Sequence, residues 1–328
     1  MAKVLETTTL VCPAKLNAVL SVGATMDDGY HPVESVMLPL VSCDEPTETL
    51  TIAVQKTDAV GVELAIDGNE TLAQNDAANN LVVKAYQAFY RQFLFEPLPL
   101  RATLHKAWPI QGGLGGGSSN AAAMLRYLAE AHEIPLYDDQ LHAVAATLGA
   151  DVAFFLQAQP TLASGKGEIL TPIKTHANLP AVAWLLVKPH SLGISTPWAY
   201  QTLDTQRALG RLPQPNNTLA HRSLALKHFL DQPPEAFPKD FPNWHAAFSG
   251  LLHNDFQALA WQQFPSYADI EQKMRELGCL TTLLCGSGAT VAGLLPPQFE
   301  WTEKRQAAVE LLFLSNDYWT CMAMTPWA

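Results

Sequence analysis

The segment PIQGGLGGGSSNAAAML, from Pro109 to Leu125, places five glycines and two serines in front of a run of helix formers. Glycine loses more backbone freedom on folding than any other residue, so such a cluster needs a physical reason. Glycines leave backbone N–H groups uncovered, and the following helix adds unpaired N–H groups and the positive end of its dipole. We expect Ser118 or Ser119 to cap that helix. A strand, a glycine loop and a helix in this order favour a phosphate-binding site over a linker or a tight turn.

The loop differs from the common phosphate-binding motifs. A P-loop requires a lysine before Ser118, and the chain has none there. A GxGxxG dinucleotide motif that starts at Gly113 would place its third glycine on Ser118. The HRD and DFG motifs of protein kinases are also missing. The sequence therefore predicts a phosphate site of another class.

The composition is that of a soluble globular enzyme. The chain has 328 residues, 48% of them hydrophobic and 16% charged, a length that suggests two domains. Its 20 basic and 31 acidic residues give a net charge of −11, which disfavours nucleic acid and anionic membranes as partners. Since no apolar run of about 18 residues and no signal-peptide pattern is present, we expect a cytoplasmic protein.

The cysteines and histidines give no support for a metal centre built by the protein. The five cysteines are scattered and never spaced as CxxC, which argues for free thiols in a reducing compartment and against a zinc site. The ten histidines form no HExxH motif.

The pattern of apolar residues indicates an α+β fold. Short β-like runs, among them TLVCPAKLNAVLSV, follow one another in the first hundred residues, which favours antiparallel pairing over a doubly wound sheet. Helical spacing covers residues 79–93, 118–132 and 138–148. A strand at LRATLHKA leads into the glycine loop. The proline-rich segment from Leu212 to Phe241 is expected to be a surface insertion or an irregular connection.

Several blocks of sequence resemble those of one family. PIQGGLGGGSS is similar to the motif P-x3-G-L-G-[SG]-[SG]-S-[SA] of the GHMP kinases. The blocks PAKLN, DGYH, GADVAFFL, STPWAY and CGSGAT then resemble, in the family's order, those of a branch whose acceptor is a cytidine diphosphate conjugate of methylerythritol. The resemblance runs from Pro13 to Leu294. Two departures, Ala153 in place of the usual proline and the proline-rich segment, remove no functional residue.

The resemblance implies a fold and an activity. It implies a two-domain GHMP kinase architecture: an ATP-binding domain over 1–175, like the second domain of ribosomal protein S5, and an α/β-sandwich domain over 176–328. The active site would lie in the cleft between them. The reaction would be transfer of the γ-phosphoryl of ATP, accompanied by Mg²⁺, to the 2-hydroxyl of the acceptor, a step of the non-mevalonate route to isoprenoid precursors. The enzyme would be a monomer or a homodimer.

The resemblance points to Lys15 and Asp151 as the catalytic residues. Asp151 would be the base, although its spacing alone favours an ordinary aspartate that caps a turn. An unpaired ammonium in the apolar strand around Lys15 would be costly, so we expect Asp151 to be its partner. The alternative is that Lys15 snorkels at a strand end. Asn17 has the same side-chain parity as Lys15, so both can face the cleft and the acceptor.

The residues expected to bind ATP surround the glycine loop. They are Asn79, Asn80, Lys106, Pro109, Ile110, Gln111, Gly112, Gly113, Leu114, Gly115, Gly116, Gly117, Ser118 and Ser119. Asn79 and Asn80 either cap their helix or lie beside the adenosine. Lys106 either contacts a phosphate or faces solvent. Since no carboxylate cage is visible for Mg²⁺, Ser118 is the candidate ligand.

The expected acceptor contacts come from both halves of the chain. By resemblance, Tyr30 and Tyr200 sandwich the cytosine and His31 bonds its edge. The alternative makes Tyr30 a turn residue and Tyr200 a core contact. The remaining expected contacts, near the base or the transferring phosphate, are Thr196, Gly286, Ser287 and Gly288. A hairpin turn would account equally well for the glycines of this last cluster.

Two other functions remain open at this point. The chain could be a GHMP kinase for another acceptor, such as a sugar or homoserine, but DGYH and STPWAY belong to the acceptor side of the branch named above. It could also be a nucleotide-binding regulator that has lost catalysis, but Lys15 and Asp151 are both in place.

Overall fold

The computed structural model describes residues 7–57, 60–68, 77–176, 179–215, 220–232, 241–297, 302–313 and 317–327. The strands in these ranges are β1 (Thr8–Val11), β2 (Ala14–Val22), β3 (Val33–Ser42), β4 (Thr49–Val54), β5 (Gly61–Asp67), β6 (Pro99–His105), β7 (Thr161–Ser164), β8 (Ile169–Pro172), β9 (Val182–Pro189), β10 (His253–Asn254), β11 (Thr281–Leu284), β12 (Val291–Leu294) and β13 (Tyr318–Thr325). The α-helices are α1 (Leu81–Phe93), α2 (Gly116–Ala131), α3 (Asp139–Leu148), α4 (Val152–Gln157), α5 (Thr196–Ala208), α6 (Ala220–Leu230), α7 (Phe241–Leu251), α8 (Asp255–Gln263), α9 (Ser266–Glu276) and α10 (Glu303–Phe313).

The chain divides into two compact units, and both are discontinuous. The first comprises Met1–Ala14, Glu45–Trp108 and Gly115–Ala158, and the second comprises Lys15–Asp44, Pro109–Leu114 and Gln159–Ala328. This division differs from a single boundary at residue 175, because β2 and β3 from the first half of the chain complete the sheet of the second unit. The assignment of 1–175 as an ATP-binding domain stays a prediction.

The first unit contains a four-stranded sheet in the order β1–β4–β6–β5. β4 pairs antiparallel with β1 and β6, and β5 pairs parallel with β6. In β6 the residues Leu100, Ala102 and Leu104 are buried and alternate with more accessible ones, as in a strand with one face on the core. Helices α1 and α2 pack against each other, and the alanines of α2 permit a close approach.

The second unit contains a nine-stranded sheet. Seven strands follow the order β10–β2–β3–β13–β9–β12–β11, and β7 pairs with β3 and with β8. Every residue of β2 is buried, including Lys15 and Asn17, so polar groups on this strand need partners inside the protein. The α+β fold predicted from the sequence is confirmed. None of the five cysteines forms a disulfide, which also agrees with the prediction.

Three local predictions need correction. The helix predicted over 118–132 begins at Gly116, and its N-cap is Gly115 with a φ of 72°, so the prediction of a serine cap was wrong. Glycine adopts this left-handed conformation without steric strain, which lets the helix begin earlier. The run TLVCPAKLNAVLSV is two strands of different sheets, β1 and β2, separated by Cys12 and Pro13.

The proline-rich segment also differs from its prediction. Helix α6 lies inside it and α7 begins at its end, while residues 216–219 and 233–240 of the segment lie outside the described residues. No helix in the described part of the chain is both long and apolar enough to cross a membrane.

Candidate active site

The first half of the glycine loop belongs to the second unit and packs on a second glycine-rich turn. The amide of Thr290 donates to the carbonyl of Gly112 at 3.1 Å, and the amide of Lys15 donates to Leu114 at 2.9 Å. A Cβ on Gly113, whose φ is +77°, would lie 1.9 Å from the carbonyl oxygen of Cys285. Glycine is therefore required at position 113 because the Cys285 backbone comes too close for any side chain, whatever the loop binds.

The second half of the loop forms the N-terminus of α2 in the first unit. Within the described residues, Gly115 provides no side-chain cap, and the first turn of α2 carries no acidic residue. A Cβ on Gly117 would have its nearest neighbour, Leu81 Cδ1, at 3.6 Å, which is ordinary contact. The hydroxyl of Ser119 is buried without a hydrogen-bond partner in the described part of the chain. The first turn thus offers backbone N–H groups and a dipole to an anion.

A buried ion pair lies behind this helix terminus. Glu48 is fully buried, and its Oε1 is 2.5 Å from the Nζ of Lys106 and 2.6 Å from the Nδ2 of Asn120. Its Oε2 accepts from the amides of Ala107 at 3.1 Å and Trp108 at 2.8 Å. Lys106 does not face solvent, so that alternative was wrong.

The same network leaves no room for a side chain at Gly116. No sequence pattern predicted this network. A Cβ on Gly116 would lie 2.9 Å from Lys106 Nζ and 3.3 Å from Trp108 Cβ. Glu48 stands in a polar stretch, DEPTET, with no pattern that marks it as buried. Only its pairing with a lysine 58 residues away reveals its role.

The two asparagines before α1 differ in what they do. Asn80 is the N-cap of α1, and its side chain accepts from the amide of Val82 at 2.9 Å, so the capping alternative is confirmed for this residue. Asn79 ends the short 3-10 helix Ala77–Asn79. Their contact with adenosine stays a prediction.

Lys15 and Asn17 lie side by side in β2, as their parity predicted. Lys15 is only 5% exposed, which disagrees with snorkelling, and its Nζ donates to Asn17 Oδ1 at 2.6 Å. Asn17 Nδ2 donates to Ser35 Oγ at 2.8 Å, and Ser35 donates to the carbonyl of Val19 at 2.7 Å. This series of hydrogen bonds fixes the Asn17 amide with its oxygen toward the Lys15 ammonium.

The ammonium of Lys15 also lies beside the second glycine-rich turn. A Cβ on Gly286 would be 3.3 Å from Lys15 Nζ. Burial raises the pKa of the Cys285 thiol to about 12, although the charge of Lys15 acts in the opposite direction. Asn254 holds this turn by donating to the carbonyls of Leu284 and Gly286, each at 2.7 Å. The turn joins antiparallel β11 and β12, as the hairpin alternative predicted.

Asp151 stands at the N-cap position of α4 in the first unit. Its φ and ψ of −81° and −13° are helical, and its carboxylate makes no capping hydrogen bond to α4 within the described residues. Asp151 therefore does not cap α4 with its side chain. A Cβ on nearby Gly149 would lie 3.9 Å from Ser118 Oγ, so the segment before Asp151 approaches the first turn of α2. The pairing of Asp151 with Lys15 stays a prediction.

His31 and Tyr200 are brought together in the second unit. The ring centroids are 4.8 Å apart at an interplanar angle of 44°, and Tyr200 packs edge-on against Phe256 at 4.9 Å. His31 Nε2 lies 2.9 Å from both carboxylate oxygens of Asp204 and 3.0 Å from Thr25 Oγ1. Asp204 was not predicted, because it is 173 residues from His31. Thr25 is only six residues from His31, but no sequence motif marks it.

Tyr30 is 61% exposed on the turn before β3. One face of its ring carries the ammonium of Lys166, 4.3 Å from the ring centroid, and Lys166 in turn pairs with Asp28 at 2.6 Å. This cation–π contact orients the ring. A turn residue, as the alternative stated, is what the structure shows.

Thr196 and Ser287 also meet. Thr196 is the first residue of α5, whose N-cap Ser195 accepts from the amide of Trp198 at 3.3 Å. Its hydroxyl lies 3.3 Å from Ser287 Oγ in the second glycine-rich turn. A Cβ on Gly288 would lie 2.8 Å from Ile194 Cδ1, so the turn packs closely on the segment before α5.

Comparison with known proteins identifies the family of the chain. Residues 80–159 match the family GHMP kinases N terminal domain. The 4-diphosphocytidyl-2-C-methyl-D-erythritol kinase of Nitratidesulfovibrio vulgaris (strain DP4) is 34% identical over 313 residues, which cover 94% of this chain and 95% of the relative.

Two solved structures have a similar fold. A crystal structure of 4-(cytidine 5'-diphospho)-2C-methyl-D-erythritol kinase matches with a TM-score of 0.65 at 27% identity, covering 96% of this chain and 99% of that chain. L. major mevalonate kinase in complex with R-mevalonate matches with a TM-score of 0.66 over 100% of both chains, at 14% identity, which shows the fold alone. The chain belongs to the GHMP kinases, in the branch of the 4-diphosphocytidyl-2-C-methyl-D-erythritol kinases.

Proposed function

We propose that the protein transfers the γ-phosphoryl of ATP to the 2-hydroxyl of 4-diphosphocytidyl-2-C-methyl-D-erythritol, within the non-mevalonate route to isoprenoid precursors. The observation that carries this proposal is the similarity, over 94% of the chain, to a relative named for this kinase. The chain itself contains the glycine loop and the DGYH and STPWAY blocks. The buried polar side chains of β2, which a merely structural strand would not need, support it.

The nucleotide would bind with its phosphates at the glycine loop. The first turn of α2, from Gly116 to Ser119, has neither a side-chain cap nor an acidic residue within the described part of the chain. Pro109–Leu114 would complete this phosphate cradle, the backbone of residues 109–119. Asn79 and Asn80 would lie beside the adenosine. Since Lys106 is already bonded to Glu48, we expect it to hold the cradle's backbone in place more than to contact a phosphate.

Mg²⁺ is expected to enter with ATP. The described residues contain no group of three or more His, Cys, Asp or Glu side chains that could hold a metal ion. Such surroundings suit a cation that is bound mainly by phosphate oxygens and keeps several of its waters. Ser118, in the first turn of α2, is the protein ligand that we propose. When bound, the ion would neutralise negative charge on the phosphates.

Asp151 would act as the base. As the acceptor's 2-hydroxyl oxygen forms its bond to the γ-phosphorus, the bond to the β-γ bridging oxygen breaks and ADP leaves. The hydroxyl proton passes to the Asp151 carboxylate. The Lys15 ammonium, held in place by Asn17, would stabilise the ionised carboxylate and the developing charge. Positioning is the main demand, because phosphoryl transfer passes through a loose transition state.

The acceptor's cytosine would lie against Tyr30 and Tyr200, with His31 at its edge. Thr196 and the turn Gly286–Gly288 would contact the part of the acceptor nearer the transferring phosphate. In support, His31 packs on Tyr200, and Thr196 lies within 3.3 Å of Ser287.

One experiment separates this function from its alternatives. ADP release is coupled to an optical assay, and each candidate acceptor is compared with ATP alone. Turnover that requires the cytidylyl acceptor supports the proposal. Turnover with a sugar or homoserine instead, or ATP binding without turnover on any acceptor, contradicts it.

We also propose that the enzyme acts in the cytoplasm as a monomer or a homodimer. The free cysteines and the net charge of −11 support the first statement. Light scattering of the purified protein distinguishes the two assembly states.

A first mutation tests the cytosine platform. Tyr30→Ala is expected to raise KM for the cytidylyl acceptor by about five- to 150-fold, since a base–aromatic stack contributes about 1–3 kcal/mol. KM for ATP and the thermal midpoint should barely change, because Tyr30 is 61% exposed. Tyr137→Ala, another exposed tyrosine in the first unit, is the control. Equal rises in both KM values would remove Tyr30 from the acceptor site.

A further inference from the structure

Three oxygen atoms converge on one nitrogen of His31. Both carboxylate oxygens of Asp204 lie 2.9 Å from Nε2, and Thr25 Oγ1 lies 3.0 Å from it. The hydroxyl of Thr25 donates its proton to Asp204 Oδ2 at 2.9 Å. The oxygen of Thr25 therefore presents a lone pair to the imidazole.

This arrangement decides which nitrogen of His31 carries the proton. An ionised carboxylate can only accept hydrogen bonds, and Thr25 has already used its donor. Among the described residues, the hydrogen-bonding neighbours of Nε2 are therefore all acceptors. Nε2 must then be the donor. In the neutral imidazole the other nitrogen, Nδ1, is an acceptor. No partner for Nδ1 is found in the described part of the chain, and the ring is otherwise held by Tyr200.

An acceptor at this position distinguishes the two pyrimidines. Cytosine carries an exocyclic amine at position 4, which donates hydrogen bonds, whereas uracil carries a carbonyl oxygen there, which only accepts. Nδ1 can bond the amine, but it would face the uracil oxygen as a second acceptor. A polar group left unpaired in this way is where recognition sites obtain most of their selectivity.

We infer that Asp204, assisted by Thr25, is a positioning residue that fixes His31 as a hydrogen-bond acceptor and thereby selects a cytidine over a uridine diphosphate acceptor. The inference rests on the proposed function and names a determinant of its base specificity. Asp204 lies on α5, the helix that also carries Tyr200 and Thr196. One helix therefore supplies both the Tyr200 ring, on which His31 packs, and the carboxylate that orients His31.

The test compares CDP and UDP as calorimetric ligands of the full-length protein. The wild type is expected to bind CDP more tightly than UDP. Asp204→Ala frees His31 to adopt either tautomer, and we expect the CDP preference to fall by about two- to tenfold, the range for one lost hydrogen bond. Asp204→Asn replaces one carboxylate oxygen by an NH2 group that can donate to Nε2, so it holds the tautomer less firmly. Its CDP preference should lie between that of the wild type and that of Asp204→Ala. With the cytidylyl acceptor, kcat should stay near normal while KM rises.

Asp67→Asn is the matched control, because Asp67 pairs with His105 Nδ1 at 2.6 Å in the first unit. It should leave the CDP preference unchanged. An Asp204→Ala protein that loses CDP and UDP affinity equally, or that keeps the wild-type preference, overturns the inference. If that variant does not fold, Asp204→Asn decides, and a preference equal to that of the wild type overturns the inference. Failure of the proposed function appears separately, as absence of wild-type turnover with the cytidylyl acceptor.

Discussion

Replacing Asp151 by asparagine is expected to lower kcat by about 10²- to 10⁴-fold, the usual effect of losing a general base. Asparagine keeps the shape of the side chain but cannot take the proton of the acceptor hydroxyl. KM for ATP should barely change, because we assign Asp151 to the acceptor and not to the nucleotide. The measurement is coupled ADP release at saturating ATP and acceptor, with calorimetric titration of ATP as a second readout.

The control for this substitution is another aspartate at a helix N-terminus. Asp138 caps α3 and accepts from the amides of Gln140 at 2.9 Å and Leu141 at 3.0 Å. Asparagine is also a good N-cap, so Asp138→Asn should leave both stability and kcat close to normal. A near-normal kcat for Asp151→Asn would remove this residue from the chemistry. A large fall in ATP affinity would place it on the nucleotide side instead.

The local features of the site could be predicted from the sequence because short-range rules govern them. Alternation along a strand placed Lys15 and Asn17 on one side, and the structure has Nζ and Oδ1 2.6 Å apart. The order of strand, glycine loop and helix was also predicted correctly, as β6 and α2 show. The serine cap was wrong because a glycine in the left-handed region can begin a helix one turn earlier than the side-chain rule suggests.

The partners of buried charges could not be predicted, since they depend on contacts between distant parts of the chain. Lys106 was expected either at a phosphate or in solvent, whereas its ammonium meets a carboxylate 58 residues away. Asp204, 173 residues from His31, is likewise invisible to any local pattern. The discontinuous units have the same origin, because β3 pairs with β13 from the other end of the chain.

The glycines of the loop combine a local sequence pattern with contacts between distant residues. The sequence attributes all five to phosphate binding. In the structure, Gly113 is required by the approach of the Cys285 carbonyl and Gly116 by the Lys106 ammonium. Gly117 is different, because a Cβ there would meet only ordinary contact with Leu81. A position of this kind, free of packing demands, is where a ligand can be the reason for a glycine.

The buried pair of Glu48 and Lys106 gives the largest expected effect on stability. Among the described residues, Glu48→Gln leaves the buried ammonium of Lys106 with neutral partners such as Asn120 Oδ1. Removing one member of a buried ion pair typically costs about 3–5 kcal/mol. Lys106→Met should cost less, because the carboxylate keeps its bonds from Asn120 and from the amides of Ala107 and Trp108. The free energy of unfolding is measured by urea titration of both single variants and the double variant.

The double variant separates a structural role of this pair from a direct role in nucleotide binding. If the two charges exist for each other, Glu48→Gln with Lys106→Met should be more stable than Glu48→Gln alone, since no unpaired charge remains. Strictly additive losses would show that the pair is not energetically coupled. KM for ATP should then follow stability, rising in Glu48→Gln and recovering in the double variant, because the pair anchors the backbone before Pro109 and the helix behind Gly116. A large rise in Lys106→Met that persists in the double variant would instead assign Lys106 to a phosphate of the nucleotide.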